Sequence, residues 1–322
     1  MKTKEDLFNP DTLWSVYGIK DREDFDQKIH LTPKFHGNVT EDIIKEFETI
    51  KYLLSFSYYY SPFLDEAVTK SLIIIETAIK IRAKQLNIPL KIIGRQNRER
   101  DKRLSVLIDE VLQQTSLEYL KSDFDRARKI RNGRVHKDSH TFMGMFGYPI
   151  NNIRLFINLI NQVFLSDSEI ERISENRNRI DEVLKSYKNG LFILEYNSKK
   201  ILIEGVLIHK YIEYRETKLL IILADPVLTN AFEAYTKHLT REPLLITLKN
   251  FDFATQKIIG KGLDDSLITI EPTNKKENLT KYKSFCEERN KVSETNMQIY
   301  KSSIYGKGPW EMERIMFEHC WS

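Results

Sequence analysis

A chain of 322 residues that is 41% hydrophobic and 30% charged carries enough apolar material for one large or two moderate folded domains, which excludes a disordered chain. Its two cysteines, Cys286 and Cys320, are too few for a disulfide framework or a four-cysteine zinc site. A formal charge of +4 excludes a polycation, so what matters is where the charge clusters, from Lys91 to Lys137.

Residues 1–39 read as a leader of mixed polarity, interrupted by Pro10, Gly18, Pro33 and Gly37 and expected to pack on the domain that follows. Its start, MKTKEDLFNPDTLW, lacks the apolar core of a signal peptide, and no stretch of the chain reaches bilayer-spanning length; the expected location is the cytoplasm, with no membrane partner. From Thr40, a plausible N-cap, Ile43, Ile44, Phe47, Ile50, Leu53 and Leu54 fall on one helical stripe. A second long helix follows Ser61-Pro62, with Leu64, Val68, Leu72, Ile75, Ile79 and Ala83 at three- and four-residue spacing and Asn87 and Pro89 at its end. KIIGRQNRERDKR reads as a basic connector, LSVLIDEVLQQTSLEYL as a third helix running into the basic stretch FDRARKIRNGRVH, and INNIRLFINLINQVFL as a fourth. SDSEIERISENRNRIDEVLKSYKNG reads as a polar helix opened by Ser166 or Asp167 and closed by Gly190.

Beyond that glycine the period changes from helical to two. LFILEY, KKILIEGVLIHKYIEY, KLLIILADPVL, PLLITLKNF and SLITIEP are strand-like, and NAFEAYTKHLTR reads as one intervening helix. The expected fold is therefore multidomain: an all-α four/five-helix bundle over residues 40–189, then an α+β domain over 190–322 with a helical tail.

The densest chemistry is RKIRNGRVHKD, residues 128–138, with three arginines, two lysines, an asparagine, a glycine and a histidine. Three meanings are open: a solvated basic helix end favoured by the helix dipole, a patch for a polyanion, or a catalytic centre. Within it, RNGRVH has the order R-N-x-x-x-H from Arg131 to His136, and IIIETAIKIR on the second helix contains E-x-x-x-K at Glu76 and Lys80. The set resembles the HEPN superfamily, helical-bundle domains many of whose members are metal-independent ribonucleases in toxin, abortive-infection and antiviral systems. The resemblance covers about residues 40–165.

It implies a metal-independent endoribonuclease that needs no cofactor and no metal. RNA carries its own nucleophile, the 2′-hydroxyl, so the site needs an acid/base and a cation on the crowded phosphoryl group. His136 is the expected general acid/base, Arg131 the transition-state cation and Asn132 a polar orienter. Glu76 and Lys80 are accessory, Glu76 as a partner that would hold the Arg131 fork. Arg128, Lys129, Arg134 and Lys137 are expected to guide RNA by phosphate contact. The products would be a 2′,3′-cyclic phosphate and a 5′-hydroxyl.

Residues five apart on a regular helix lie about 140° apart, so Arg131 and His136 converge only with a local break, for which Gly133 is the candidate, or across a homodimer, as in the family. Asp138 stands where family members silenced by nucleotidyl transfer carry a tyrosine, so that control is not expected here. The C-terminal domain is the expected place for an inhibitor or trigger. The reading from another class is a non-catalytic module that dimerises and binds RNA or protein.

Plainer readings stand beside these. Glu76 and Lys80 also make an ordinary i,i+4 ion pair. The tyrosines at 58–60 suit base stacking or packing at a helix end. Asp264-Asp265 and Asp225-Pro226 sit where turns are expected, rather than as paired metal ligands. His140, His319 and Cys320 read as bystanders.

Overall fold

The computed structural model describes residues 6–93, 98–135, 147–227, 244–254 and 256–321, with backbone alone at 132–135, 147–148 and 303. The chain forms two compact units, Met1–Glu171 with Trp321–Ser322, and Arg172–Cys320.

The first unit begins with α1 (Leu13–Val16) and α2 (Arg22–Ile29), then α3 (Glu41–Phe56) and α4 (Phe63–Gln85). A two-stranded antiparallel ribbon follows, β1 (Lys91–Ile93) on β2 (Glu99–Asp101). Then come α5 (Leu104–Gln114), a single turn at Glu118–Leu120, α6 (Lys121–Val135) and α7 (Gly147–Val163). Helix α8 (Asp167–Lys185) carries the chain into the second unit.

Helix α4 is the axis of the first unit. Ala67, Val68, Leu72, Ile74, Ile75, Ala78, Ile79 and Ala83 are all buried, so apolar residues occupy most of its circumference. It packs against α3, α5, α6 and α7. The alanines let neighbouring backbones approach, while truncating fully buried Ile79 to Ala would cost about 2–5 kcal/mol. Thr40 stands at the N-cap of α3, yet its side chain makes no capping bond. At α8 the cap is reciprocal: Ser166 N–H donates to Glu169 Oε2 at 2.8 Å, and Glu169 N–H to Ser166 Oγ at 3.4 Å.

Buried polar groups on α7 fix the chain segments around it. Asn161 accepts from the His36 N–H at 3.1 Å and donates to the Lys34 carbonyl at 2.9 Å. The Asn161 carbonyl accepts from His36 Nε2 at 2.7 Å, while His36 Nδ1 accepts the Asn38 N–H at 3.2 Å, which assigns the proton to Nε2. Trp321 Nε1 donates to Asn158 Oδ1 at 2.8 Å. Before α3, Trp14 packs edge-on to Phe25 and donates to the Tyr58 carbonyl at 2.7 Å.

The second unit overturns the expected α+β arrangement. Strands β3 (Phe192–Tyr196), β4 (Lys199–Tyr214), β5 (Thr217–Pro226), β6 (Leu244–Ala254), β7 (Lys257–Lys261) and β8 (Leu267–Pro272) each pair antiparallel with the next, and β3 also pairs with β8. The result is a closed six-stranded barrel. Closure needs curvature, and register shifts supply it between Ile203 and Ile208 on β4 and between Lys249 and Asp252 on β6. Gly205, inside the β4 irregularity, has φ +73°, and a Cβ there would lie 2.7 Å from the Lys188 carbonyl oxygen.

The registers place Leu194, Ile222, Ile246, Ile258 and Ile270 on the inward face by alternation. The opposite face of β5, with Ile221 and Leu223, packs with Phe285 of α9 (Lys276–Asn290) and with Tyr300, Ile304, Met312 and Ile315 of α10 (Glu294–His319). Gly308 allows that approach, since a Cβ there would meet Leu223 Cδ2 at 2.8 Å.

Two parts of the sequence-based fold are thus corrected. An all-α four/five-helix bundle followed by an α+β domain is not what forms: the segment read as a basic connector contributes the β1–β2 ribbon, and the strands close into a barrel. Asp225-Pro226 is also no turn, because both residues belong to β5 and Pro226 pairs with Ile203. Asp264-Asp265 does form one, closed by Gly262 N–H to the Ser266 carbonyl at 2.8 Å, with Asp265 at φ 64°. The helix expected at NAFEAYTKHLTR lies outside the described residues. No helix among the described residues is long and apolar enough to cross a membrane.

Candidate active site

Helix α6 is polar except for one stripe. Phe124 and Ala127 are buried three residues apart, and Arg131 continues the stripe four residues on. The stripe faces α4, with which α6 packs, so Arg131 arrives over the α4 position occupied by Glu76. Arg131 Nη2 lies 3.4 Å from Glu76 Oε2, and Lys80 Nζ lies 2.8 Å from Glu76 Oε1. One carboxylate therefore holds two cations, one on each oxygen.

The contact to Arg131 is long and single. The Arg131 side chain is 43% exposed, and its other guanidinium nitrogens bond to no other group among the described residues. A planar fork positioned by one oxygen and otherwise open to solvent suits a phosphate, which accepts two parallel N–H bonds. The ion pair itself contributes at most about 1 kcal/mol at this exposure.

Of the other guide residues, Lys129 is exposed and has no ion-pair partner among the described residues. Arg128 pairs with Asp125 at 3.1 Å. Asn132 and Arg134 lie on α6, with side chains outside the description, and His136 and Lys137 lie outside the described residues altogether. The helix continues through Gly133 to Val135, so Gly133 does not supply the expected break. The structure thus brings together Glu76, Lys80 and Arg131.

The tyrosines at 58–60 divide: Tyr58 packs edge-on to Phe25 with the Arg22 guanidinium 5.2 Å from its ring, while Tyr60 is exposed. Packing accounts for Tyr58. Among the described residues no group of three or more His, Cys, Asp or Glu side chains could hold a metal ion. Burial pushes the Cys320 thiol far up, away from the reactive thiolate form.

Sequence reasoning missed a second polar hub, in the barrel unit. Glu213 on β4 is buried and accepts from Arg172 Nε at 2.9 Å, Lys218 Nζ at 3.2 Å, Asn176 Nδ2 at 2.9 Å and the Tyr211 hydroxyl. Burial alone would raise this carboxyl; the hydrogen bonds from Tyr211, Lys218 and Asn176, with the Arg172 charge, outweigh it and hold the group below its ordinary value. Burial and the Glu213 bond push the Tyr211 phenol far up. The available signal was the alternation in Tyr211-Ile212-Glu213, which puts tyrosine and carboxylate on one face. Nearby, His209 Nε2 lies 2.6 Å from Asp181 Oδ1.

No family model, curated protein or solved structure matches the chain.

Proposed function

We propose that the protein is a metal-independent endoribonuclease of the HEPN type that cleaves RNA by 2′-hydroxyl attack, in a toxin or antiviral-defence role. The observation that carries the reading is the Arg131 guanidinium, steered by Glu76 yet partly open to solvent, five residues before a histidine. Arg131 binds the non-bridging phosphate oxygens and stabilises the charge that builds on them as the 2′-oxygen adds. His136 takes the 2′-hydroxyl proton or supplies one to the departing 5′-oxygen. Lys129 adds phosphate contact without sequence preference.

Because α6 stays helical through Gly133, the proposal includes a homodimer, in which Arg131 and His136 side chains of two copies line one cleft. The barrel unit is then the place for an inhibitor or trigger.

The test is incubation of wild type, Arg131→Ala and His136→Ala with total RNA in excess chelator, scoring fragments, their end groups and RNA binding. The expected result is fragments with 2′,3′-cyclic phosphate ends from wild type, none from His136→Ala, and binding retained by His136→Ala. Cleavage that requires a metal, or equal cutting by Arg131→Ala, overturns the mechanism. Binding with no cleavage by wild type leaves the non-catalytic module in its place.

A further inference from the structure

The two ends of the barrel differ. Toward one, Tyr211, Leu220 and Leu248 fill the interior and are all but inaccessible to solvent. At the other, the inward residues fail to fill the space: a cavity of about 460 Å³ opens there, lined by Leu194, Tyr196, Ile201, Leu244, Ile246 and Ile268. Leu263 on its rim is 38% exposed. An apolar recess of this size at a barrel mouth is the form that small-molecule sites take.

Among the described lining residues the charge is of one sign. Asp264, on the rim, accepts from the Tyr196 hydroxyl at 2.5 Å, the Ser266 hydroxyl at 2.5 Å and the Ser266 N–H at 3.2 Å. These bonds, those from Ser266 and Tyr196 foremost, hold its carboxyl down at about 2. Among the described residues no Lys or Arg pairs with it; Lys249 pairs instead with Asp265 at 3.0 Å. Among the described residues no lysine or arginine lines the cavity. The described lining therefore offers mainly apolar walls, the hydroxyls of Tyr196 and Thr247, and one fixed negative charge with no cationic side chain beside it.

We infer that this open barrel end is a binding site for a small organic cation, an amine carried on an aromatic or branched apolar body, with the ammonium on Asp264 and the apolar body among Leu194, Ile201, Ile246 and Ile268. An ammonium donates to the carboxylate as a charge-assisted bond, and the apolar body covers wall that is otherwise wet. Tyr196 and Ser266 keep the carboxylate turned to the mouth. Such a site would let the barrel unit respond to a metabolite, and it does not depend on the ribonuclease reading.

The test is isothermal titration of the full chain with tryptamine, tryptophol and indole-3-acetate, which share a bicyclic body and differ in charge. Tryptamine should bind at least roughly tenfold more tightly than tryptophol, with no measurable binding of the acetate. Asp264→Asn, at an exposed position, should bring tryptamine down to the level of tryptophol, while Arg131→Ala should bind tryptamine as wild type does. No heat with tryptamine, equal binding of amine and alcohol, or full amine binding by Asp264→Asn overturns the proposal.

Discussion

Two glutamates, one in each unit, hold the same kinds of partner and do different work. Glu76 gathers Lys80 and Arg131 at a half-open helix crossing. Glu213 gathers Lys218 and Arg172, but with Asn176 and Tyr211 added and its own side chain only 2% exposed. Solvent makes the difference. Around Glu76 water screens the pair, so the carboxylate steers the arginine without consuming it, and the cation stays available to a ligand. Around Glu213 every oxygen is committed, and the cluster joins the middle of α8, at Arg172 and Asn176, to β4 and β5. An ion cluster is a tool or a fastener according to how much of it remains wet.

The contrast can be broken experimentally. The largest expected effect is at Arg131: its replacement by Ala should lower RNA cleavage by roughly 100-fold or more, as loss of a transition-state charge partner does, with the unfolding midpoint in urea nearly unchanged. Next comes Glu213→Ala, which strands the Asn176 amide and the Tyr211 hydroxyl and should cost about 2–4 kcal/mol in urea unfolding; a cost below about 0.5 kcal/mol would show that the hub is as loose as the Glu76 pair.

The same hub should carry a pH signature. The Glu213 carboxyl is held below its ordinary 4.5, so its stabilisation is complete above about that pH and is lost as pH falls through the lower folded-state value. Glu213→Gln should flatten that part of the acid limb of stability measured between pH 5 and 2. The smallest effect is Glu76→Gln: a change in stability under about 1 kcal/mol, together with a several-fold loss of cleavage that falls on kcat, since the arginine is mis-aimed rather than absent. Equal cleavage by Glu76→Gln would reduce the pair to a surface contact.

Much of the helical unit could be read from periodicity. The stripes at 43–54 and 64–83 form α3 and α4, and the strand-like runs at 192–214 and 267–272 form strands. Closure could not be read, because alternation reports which face is buried and is silent on whether the first and last strands meet; the β3–β8 pairing joins Phe192 to Pro272, the two ends of the barrel's sequence. β7 was hidden for another reason. It is short and contains Gly260, where a Cβ would meet Phe251 Cβ at 2.9 Å, so close packing removed the side chain that would have marked the pattern. β1 and β2 are exposed along their length and carry no burial signal at all. At the site, the Glu76–Arg131 pairing was an expectation from the sequence motifs, and the structure places the two within 3.4 Å where stripes on two different helices meet.

The seam between β3 and β8 has a consequence for how the molecule keeps company. A sheet closed on itself has no outermost strand, so it offers no row of unpaired amides and carbonyls on which another chain could be templated. The free margins that remain among the described strands are those of the β1–β2 ribbon, three residues a side and carrying Lys91, Glu99, Arg100 and Asp101. Short and charged, they are poor seeds for fibrous growth.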